Sequence, residues 1–406
     1  MKSQKYAKNI QVSDILSLIP AELTAKLGEK HRVDHSIQRL RGRVFFDLLL
    51  YAMIRSPRPS THILEEFYNS PLFEHYSDKD AGHQTRHSSL ADRLKTIPSD
   101  YFRELFEWMS DFFPRRYGGN KKLKNVQRFD STLIQISSAL VDWGMRVGRP
   151  PKNKPRKVQL KVTLGLKGRF PKTVKVHAKQ TYLSEEVALA DIIRHNGNNS
   201  DEMICFDLGL QGRRKMKSFD NEGIKFVTRG AQNLRYKTLD SKRELPEDTQ
   251  RLSFKQDSTV YLYADSDQAI EHPFRLIEAW DKENKQTLFF ITNMEDLTAK
   301  EIAEIYRHRW DIEVFFRFLK QELKIEHLLS HSVNGVKVQI YVALMAAMLL
   351  TVFKIANNLK GYKRPKIRFE DQLIVHIVGQ MHYGKWLVES MKNKEKSVQK
   401  KNFVHS

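Results

Sequence analysis

In this sequence of 406 residues, three acids and one run of polar side chains have the types and spacing that chemistry needs. Asp130 lies inside a β-forming run, RFDST. Asp207 ends an apolar one, ICFDLGL, where a carboxylate is costly unless it is paired or metal-bound. Glu313 belongs to YRHRWDIEVFFRFLK, residues 306–320. On a single helix at about 100° per residue, Arg309, Glu313 and Lys320 fall at about −60°, −20° and −40° from Tyr306. A phenol, a guanidinium, a carboxylate and an ammonium therefore share one edge. Ile305, Ile312, Phe316, Leu319 and Leu323 fall between roughly −80° and −140°, the stripe such a helix would bury. One carboxylate among cations suits a metal ligand flanked by groups that hold phosphate, because a nucleic-acid strand brings negative charge beside the ion. Taken singly, each acid also has a plain structural reading. Asp130 could end a strand, Asp207 could cap the turn at Gly209, and Glu313 could pair with Arg309 or Arg317 for only ~0.3–0.5 kcal/mol.

The elements that must position these groups change in character along the chain. Residues 1–118 read as an all-α domain, with patterns such as RVFFDLLLYAMI and SDYFRELFEWMSDFF. Within it, HQTRHSSLADRLKTIP is either a helix-turn-helix reader offering Arg93 to DNA, capped by Ser88 or Ser89, or a solvated helix of a bundle. RRYGGN, at 115–120, reads as a linker. Strands follow at 126–136, 157–166 and 172–180, then an amphipathic helix at 184–196 with Glu185 and Glu186 in its first turn. A buried strand MICFDLG (203–209), a basic helix near 213–219 and a strand at 224–230 complete a mixed α/β pattern over 119–230. In such a sheet, ligands collect at the carboxyl ends of strands, where two strand acids and one helix acid could converge. Three carboxylates brought together repel one another, and a divalent ion relieves that. Residues 231–294 hold strand-like pieces without a long helix, an all-β insertion. The segment 295–360 returns to helix, with Thr298 and Glu301 spaced as a capping box, and 361–406 reads as a helical, basic end.

The formal net charge is +21, with 69 Lys plus Arg against 48 Asp plus Glu, and the positive charge recurs from Lys2 to Lys401. That bias points to a polyanionic partner, nucleic acid ahead of a membrane surface, since basic membrane anchors are local. Between Arg146 and Lys179 there are twelve basic residues and no acid, which reads as a surface that tracks a phosphate backbone. Cys205 is the only cysteine, so an intramolecular disulfide and a cysteine-rich zinc site are excluded. The start lacks a signal-peptide apolar segment, and the longest apolar run, 340–353, is short for a bilayer of ~30 Å. The chain reads as cytoplasmic with no membrane partner, and that run as a core helix.

The spacing Tyr306-x2-Arg309-x3-Glu313-x6-Lys320, with Asp130 and Asp207 upstream, resembles the DDE transposases of bacterial insertion sequences, in the insertion-sequence-four branch with its Tyr-Arg-Glu-Lys signature. The resemblance runs from about 120 to 355. One departure is at the second acid, where the family has Asp-Arg-Gly and an aromatic residue and this chain has Asp207-Leu208-Gly209-Leu210. The resemblance implies an RNase H-like core interrupted by the β insertion. It implies that Asp130, Asp207 and Glu313 are catalytic and coordinate two Mg²⁺ ions, with Mn²⁺ as a substitute. Tyr306, Arg309 and Lys320 would then hold DNA phosphates. Trp280 could stack on a base flipped at the element's end, as insertion tryptophans do in relatives, or could pack in the core. The implied function is DNA cleavage and strand transfer at terminal inverted repeats, with double-stranded target DNA as second substrate and a homodimer in the synaptic complex. A structure-selective DNA endonuclease on the same fold and a non-catalytic DNA-binding descendant are the alternatives.

Overall fold

The computed structural model describes residues 10–118, 125–137, 140, 143–148, 157–196, 202–264 and 269–382. Two compact units emerge: one contains the chain up to Met109 and again from Leu319, the other is Ser110–Phe318.

The helical unit opens with α1 (Val12–Leu16), α2 (Ala21–Lys30), α3 (Gly42–Arg55), α4 (Thr61–Tyr68), α5 (Pro71–Tyr76) and α6 (His87–Thr96), before α7 (Ser99–Tyr117) leads out of it. Serine hydroxyls cap two of these: Ser60 accepts from the Ile63 N–H at 3.2 Å and Ser70 from the Phe73 N–H at 3.3 Å. The candidate DNA-reading segment forms α6, but neither Ser88 nor Ser89 is its cap, since the helix starts at His87 after Arg86. Arg93 is not offered outward. It is 6% exposed, and its guanidinium donates to the carbonyls of Leu40 and Val33, both at 2.9 Å. Two backbone acceptors satisfy a buried cation there, so Arg93 is a core strut. The expected linker at 115–120 begins as helix, because α7 runs on to Tyr117; 119–120 lie outside the described residues.

The second unit is built on one ten-stranded sheet: β1 (Val126–Ile136), β2 (Met145–Val147), β3 (Lys157–Lys167), β4 (Phe170–His177), β5 (Met203–Cys205), β6 (Lys225–Gly230), β7 (Tyr236–Lys242), β8 (Leu252–Tyr263), β9 (Ala269–Asp281) and β10 (Gln286–Thr292). The strand order is β2-β3-β1-β5-β6-β10-β9-β8-β7, with β4 also on β3. Strands β1, β5 and β6 are parallel neighbours, whereas β3 on one side and β10 on the other run antiparallel to them. The β segment of 231–294 is therefore no separate sheet: through the β10–β6 pairing it extends the sheet that carries the acids. Helices α8 (Glu185–Asn196) and α9 (Arg213–Asn221) connect the strands.

Period-two alternation fills both faces of this sheet. Ile204, Phe226, Leu276 and Ile291 join Leu189, Ile192 and Ile193 of α8 and Met216 and Phe219 of α9 in one core. Their chain neighbours Cys205, Val227, Ile277 and Phe290 join Ala299, Ile302 and Ile305 of α10 (Ala299–Arg307) in the other. The capping box at α10 forms: the Thr298 hydroxyl accepts from the Glu301 N–H at 3.3 Å, and the Glu301 carboxylate from the Thr298 N–H at 3.0 Å.

The polar run of 306–320 is not one helix. Helix α10 stops at Arg307 and α11 (Trp310–Gln321) starts three residues later. His308 holds the junction, its ring lying 3.3 Å from the Glu304 carboxylate behind it and 3.1 Å from Asp311 ahead. After α11 the chain returns to the helical unit as α12 (Val333–Ala356), capped by Ser332, and a helix at 363–382. By length and composition α12 could cross a membrane, yet 83% of its apolar window is buried inside the protein, as expected for a core helix.

Candidate active site

Parallel pairing of β1 with β5 sets Arg128 opposite Cys205. Asp130 and Asp207 each follow by two residues, so both carboxylates stand at the same level of adjacent strands, Asp130 inside β1, which runs on to Ile136, and Asp207 just beyond the carboxyl end of β5. Asp207 lies just past the strand, whose regular pairing ends at Cys205, and its carboxylate accepts from the Gly209 N–H at 2.8 Å. The turn-capping role open to Asp207 is thus real, and it fixes the carboxylate beside Asp130. Asp130 accepts from the Ser131 N–H at 2.7 Å. Burial pushes its carboxyl up to about 7; Asp207 and Glu185 add to the rise, while the Ser131 N–H and Arg309 oppose it.

The break before α11 brings Arg309 to these acids. One guanidinium nitrogen lies 3.6 Å from the Asp207 carboxylate, and the other donates to Glu313 one turn on. Arg309 is 12% exposed, against 33% for Asp207 and 29% for Glu313. The cation therefore sits inside its acids; burial opposes its charge, but Tyr306, Glu313 and Asp207 together hold its protonated form more firmly than usual. Tyr306 flanks it: the guanidinium carbon is 5.9 Å from the centre of its ring, which packs on Phe290 at 5.5 Å. Burial raises the Tyr306 phenol, so it stays neutral. Asp130, Asp207, Arg309, Glu313 and Tyr306 are thus brought together.

Three residues that position this group were not read from the sequence. Arg128, 1% exposed, reaches from β1 to Asp311 at 3.2 Å and so ties the Asp130 strand to the first turn of the Glu313 helix. On its other side it donates to the Gly168 carbonyl. Glu185, read as a favourable acid at a helix start, accepts from the Ser131 hydroxyl at 2.9 Å and is a fourth carboxylate beside Asp130. Its proximity to the strand acids depends on the α8 docking angle, which no local pattern encodes.

The remaining candidates stand apart. Lys320 lies two turns beyond Glu313 on α11 and pairs with Glu326 at 2.9 Å. Trp280, on β9 opposite Thr287, is 39% exposed, which excludes the core-packing alternative. Trp310 is 52% exposed with the Arg317 guanidinium over its ring at 5.9 Å. The basic stretch from Arg146 is partly neutralised from within. Lys161 is buried and donates to the Leu183 carbonyl at 2.7 Å, while Lys167, Lys172 and Lys175 pair with Glu202, Asp111 and Asp191. Residues 149–156 of that stretch lie outside the described residues.

The donor set fits a hard divalent cation: three carboxylates supply only oxygen, and the upward push on Asp130 comes from burial first and from Asp207 and Glu185 next, a cost to its anion that such an ion would offset. In this arrangement Arg309 supplies the opposing charge. Redistributing it would let Asp207 and Glu313 turn to an ion with Asp130.

A transposase DDE domain is matched over residues 121–349, more than half of the chain, and the chain belongs to that family. It is 32% identical over 149 residues to the transposase y4zB of Sinorhizobium fredii, covering 37% of this chain and 41% of that protein. It is 22% identical over 275 residues to a transposase for insertion sequence element IS5377 of Geobacillus stearothermophilus, covering 65% and 66%. A piggyBac transposase in a synaptic complex with hairpin DNA overlays on 96% of this chain and 86% of its own at 11% identity, with a TM-score of 0.41, a likeness too loose to bear on fold or partners.

Proposed function

We propose that the protein is a transposase that cleaves DNA at the terminal inverted repeats of an insertion sequence and transfers the ends into target DNA. It would act as a homodimer in its synaptic complex, in the bacterial cytoplasm. The observation that carries this reading is Arg309 spanning Asp207 and Glu313 beside a carboxyl, Asp130, whose pKa is raised. The order β4-β3-β1-β5-β6, with β1, β5 and β6 parallel, Asp130 inside β1 and Asp207 just past β5, supports an RNase H-like core.

In this reading Asp130, Asp207 and Glu313 hold Mg²⁺ or Mn²⁺. When bound, the metal polarises the scissile phosphate and lowers the pKa of the attacking water or 3′ hydroxyl. Arg309, released from its carboxylates, grips a phosphate with its two-pronged guanidinium, and Lys320 adds a point charge further along the helix. Tyr306 keeps its phenolic proton and can donate it to a phosphate oxygen. Asp311 and Arg128 hold the helix in register with the strand while these bonds change. Trp280, exposed on β9, is available for stacking on an unpaired base. The helices up to residue 118 are assigned to binding the DNA ends.

Glu313→Gln keeps size and hydrogen bonding but removes the charge. It should abolish Mg²⁺-dependent cleavage of an inverted-repeat duplex while DNA affinity stays within about threefold, as most affinity comes from phosphate contacts. Wild-type cleavage by the variant would remove Glu313 from the site. Cleaved ends that never enter target DNA would make the protein an endonuclease.

A further inference from the structure

The helical unit holds a second group of metal-ligating side chains, chemically unlike the first. His62 and Glu65 lie one turn apart on α4, and His87 is the first residue of α6. The two imidazole rings are 4.1 Å apart at their centres. A Glu65 oxygen lies 3.0 Å from His87 Nδ1 and accepts from the His87 backbone N–H at 2.7 Å. One ligand atom from each of the three side chains lies within 4.8 Å of the others.

Tetrahedral zinc with bonds of about 2.0–2.1 Å keeps neighbouring ligand atoms about 3.3 Å apart. The Glu65–His87 pair, at 3.0 Å, is within a few tenths of an ångström of that spacing, and all three ligand atoms lie within 4.8 Å of one another. Two imidazole nitrogens and one carboxylate form a borderline donor set that selects Zn²⁺ or Co²⁺ over Mg²⁺, the reverse of the all-oxygen set at Asp130, Asp207 and Glu313. The hydrogen bond from the His87 backbone N–H, with that of its ring, holds the Glu65 carboxyl below its ordinary range, so it is present as the ligating anion. The chain entering α6 is tied down nearby: Asn69 donates to the Thr85 carbonyl and accepts from the Thr85 N–H, each at 3.0 Å. Such preorganisation favours ion binding over a loop collapsing around the ion.

We propose that His62, Glu65 and His87 bind one Zn²⁺ ion that pins the start of α6 to α4, with a further coordination position left to water. The proposal is independent of the DNA chemistry. The rival account of the same contacts is that Glu65 caps α6, whose N-cap residue Arg86 makes no side-chain capping bond, and binds no ion.

Co²⁺ titration of the chelator-treated, untagged full chain separates the two, read by visible d–d absorption. The expected result is saturation at one equivalent, displacement by Zn²⁺ but not by excess Mg²⁺, and a Zn²⁺-dependent rise in Tm. His62→Ala and His87→Ala, both at exposed positions, should each weaken Co²⁺ binding at least tenfold, while Asp130→Asn leaves it unchanged. No absorption and no Tm shift would reduce Glu65 to a cap. A signal lost in Asp130→Asn but kept in His87→Ala would put the ion at the carboxylate site and overturn the proposal.

Discussion

Glu185 occupies the space that a side chain at residue 209 would need. A Cβ built on Gly209 would meet the Glu185 Cδ at 2.7 Å and Cγ at 2.9 Å. The glycine two residues after Asp207 thus has a packing reason in this chain. Gly209→Ala should swing the Glu185 carboxylate off the Ser131 hydroxyl, at a stability cost of about 1 kcal/mol because the displaced atoms end a flexible side chain. Mn²⁺ affinity should fall about tenfold, the usual penalty for disturbing groups that orient ligands. In a Glu185→Ala background the alanine at 209 should be neutral within about 0.5 kcal/mol, and a full effect there would deny the coupling.

Asp130 makes the metal-free protein sensitive to pH. Its folded-state pKa of about 7 lies above the ordinary value of 3.8, so the folded state binds the proton more tightly than the unfolded chain between those values. The resulting stability is fully present below about pH 4 and is lost as pH rises through 7, on the order of 2–4 kcal/mol in all. Unfolding with chelator across this range should show that loss, superimposed on other titrations, and Asp130→Asn should flatten it selectively. If the wild type and Asp130→Asn keep parallel profiles, Asp130 is not the titrating group. Mn²⁺ affinity should rise through the same window, since the ligand must shed its proton first.

Local signals were the ones the sequence carried well. The capping box at Thr298 and Glu301 needs only residues three apart, and β1, β3 and α8 announce themselves by period. The break at His308 was invisible for the opposite reason. The apolar stripe keeps helical spacing through Ile305 and Ile312, while the interruption comes from His308 bonding both ways and from Arg309 meeting Asp207, a partner from another strand. Buried arginines escaped notice likewise: Arg93 and Arg128 look like surface cations until their carbonyl acceptors are folded around them. Asp130 could be singled out as an acid inside a β-forming run and Asp207 as one that ends an apolar run, but their common level follows from strand pairing.

Arg309 sits between Asp207 and Glu313, where the proposed site would place an ion, so its removal should matter most when no metal is present. Arg309→Ala leaves Asp207 and Glu313 facing each other without a cation. Urea unfolding in chelator should show a loss of about 2–3 kcal/mol, less than for a fully buried pair because both acids are about a third exposed. Saturating Mn²⁺ should restore much of it. Arg309→Lys keeps the charge but cannot span two carboxylates, and should fall between the two. Equal losses with and without Mn²⁺ would show that Arg309 and the ion do not share the same carboxylates.

The segment that delivers Tyr306 and Arg309 is anchored at its start by a buried ion pair. Arg275 on β9 pairs twice with Asp257 on β8, at 2.9 and 2.7 Å, and spends its third nitrogen on the carbonyls of Met294 and Leu297 at 2.9 and 2.6 Å. Both side chains are at most 3% exposed. The guanidinium therefore joins two strands of the β extension to the loop that enters α10. Asp257→Ala would bury an uncompensated cation and should cost about 3–5 kcal/mol. Replacing both residues with apolar side chains of similar volume, Asp257→Leu with Arg275→Met, should recover much of that stability while leaving the two carbonyls without donors. The double variant should then be stable but locally loose. Amide hydrogen exchange in α10 should speed up relative to α8, and cleavage should fall although every residue of the acid cluster is intact. Unchanged exchange in α10 would mean that the strands, not the loop carbonyls, position the helix.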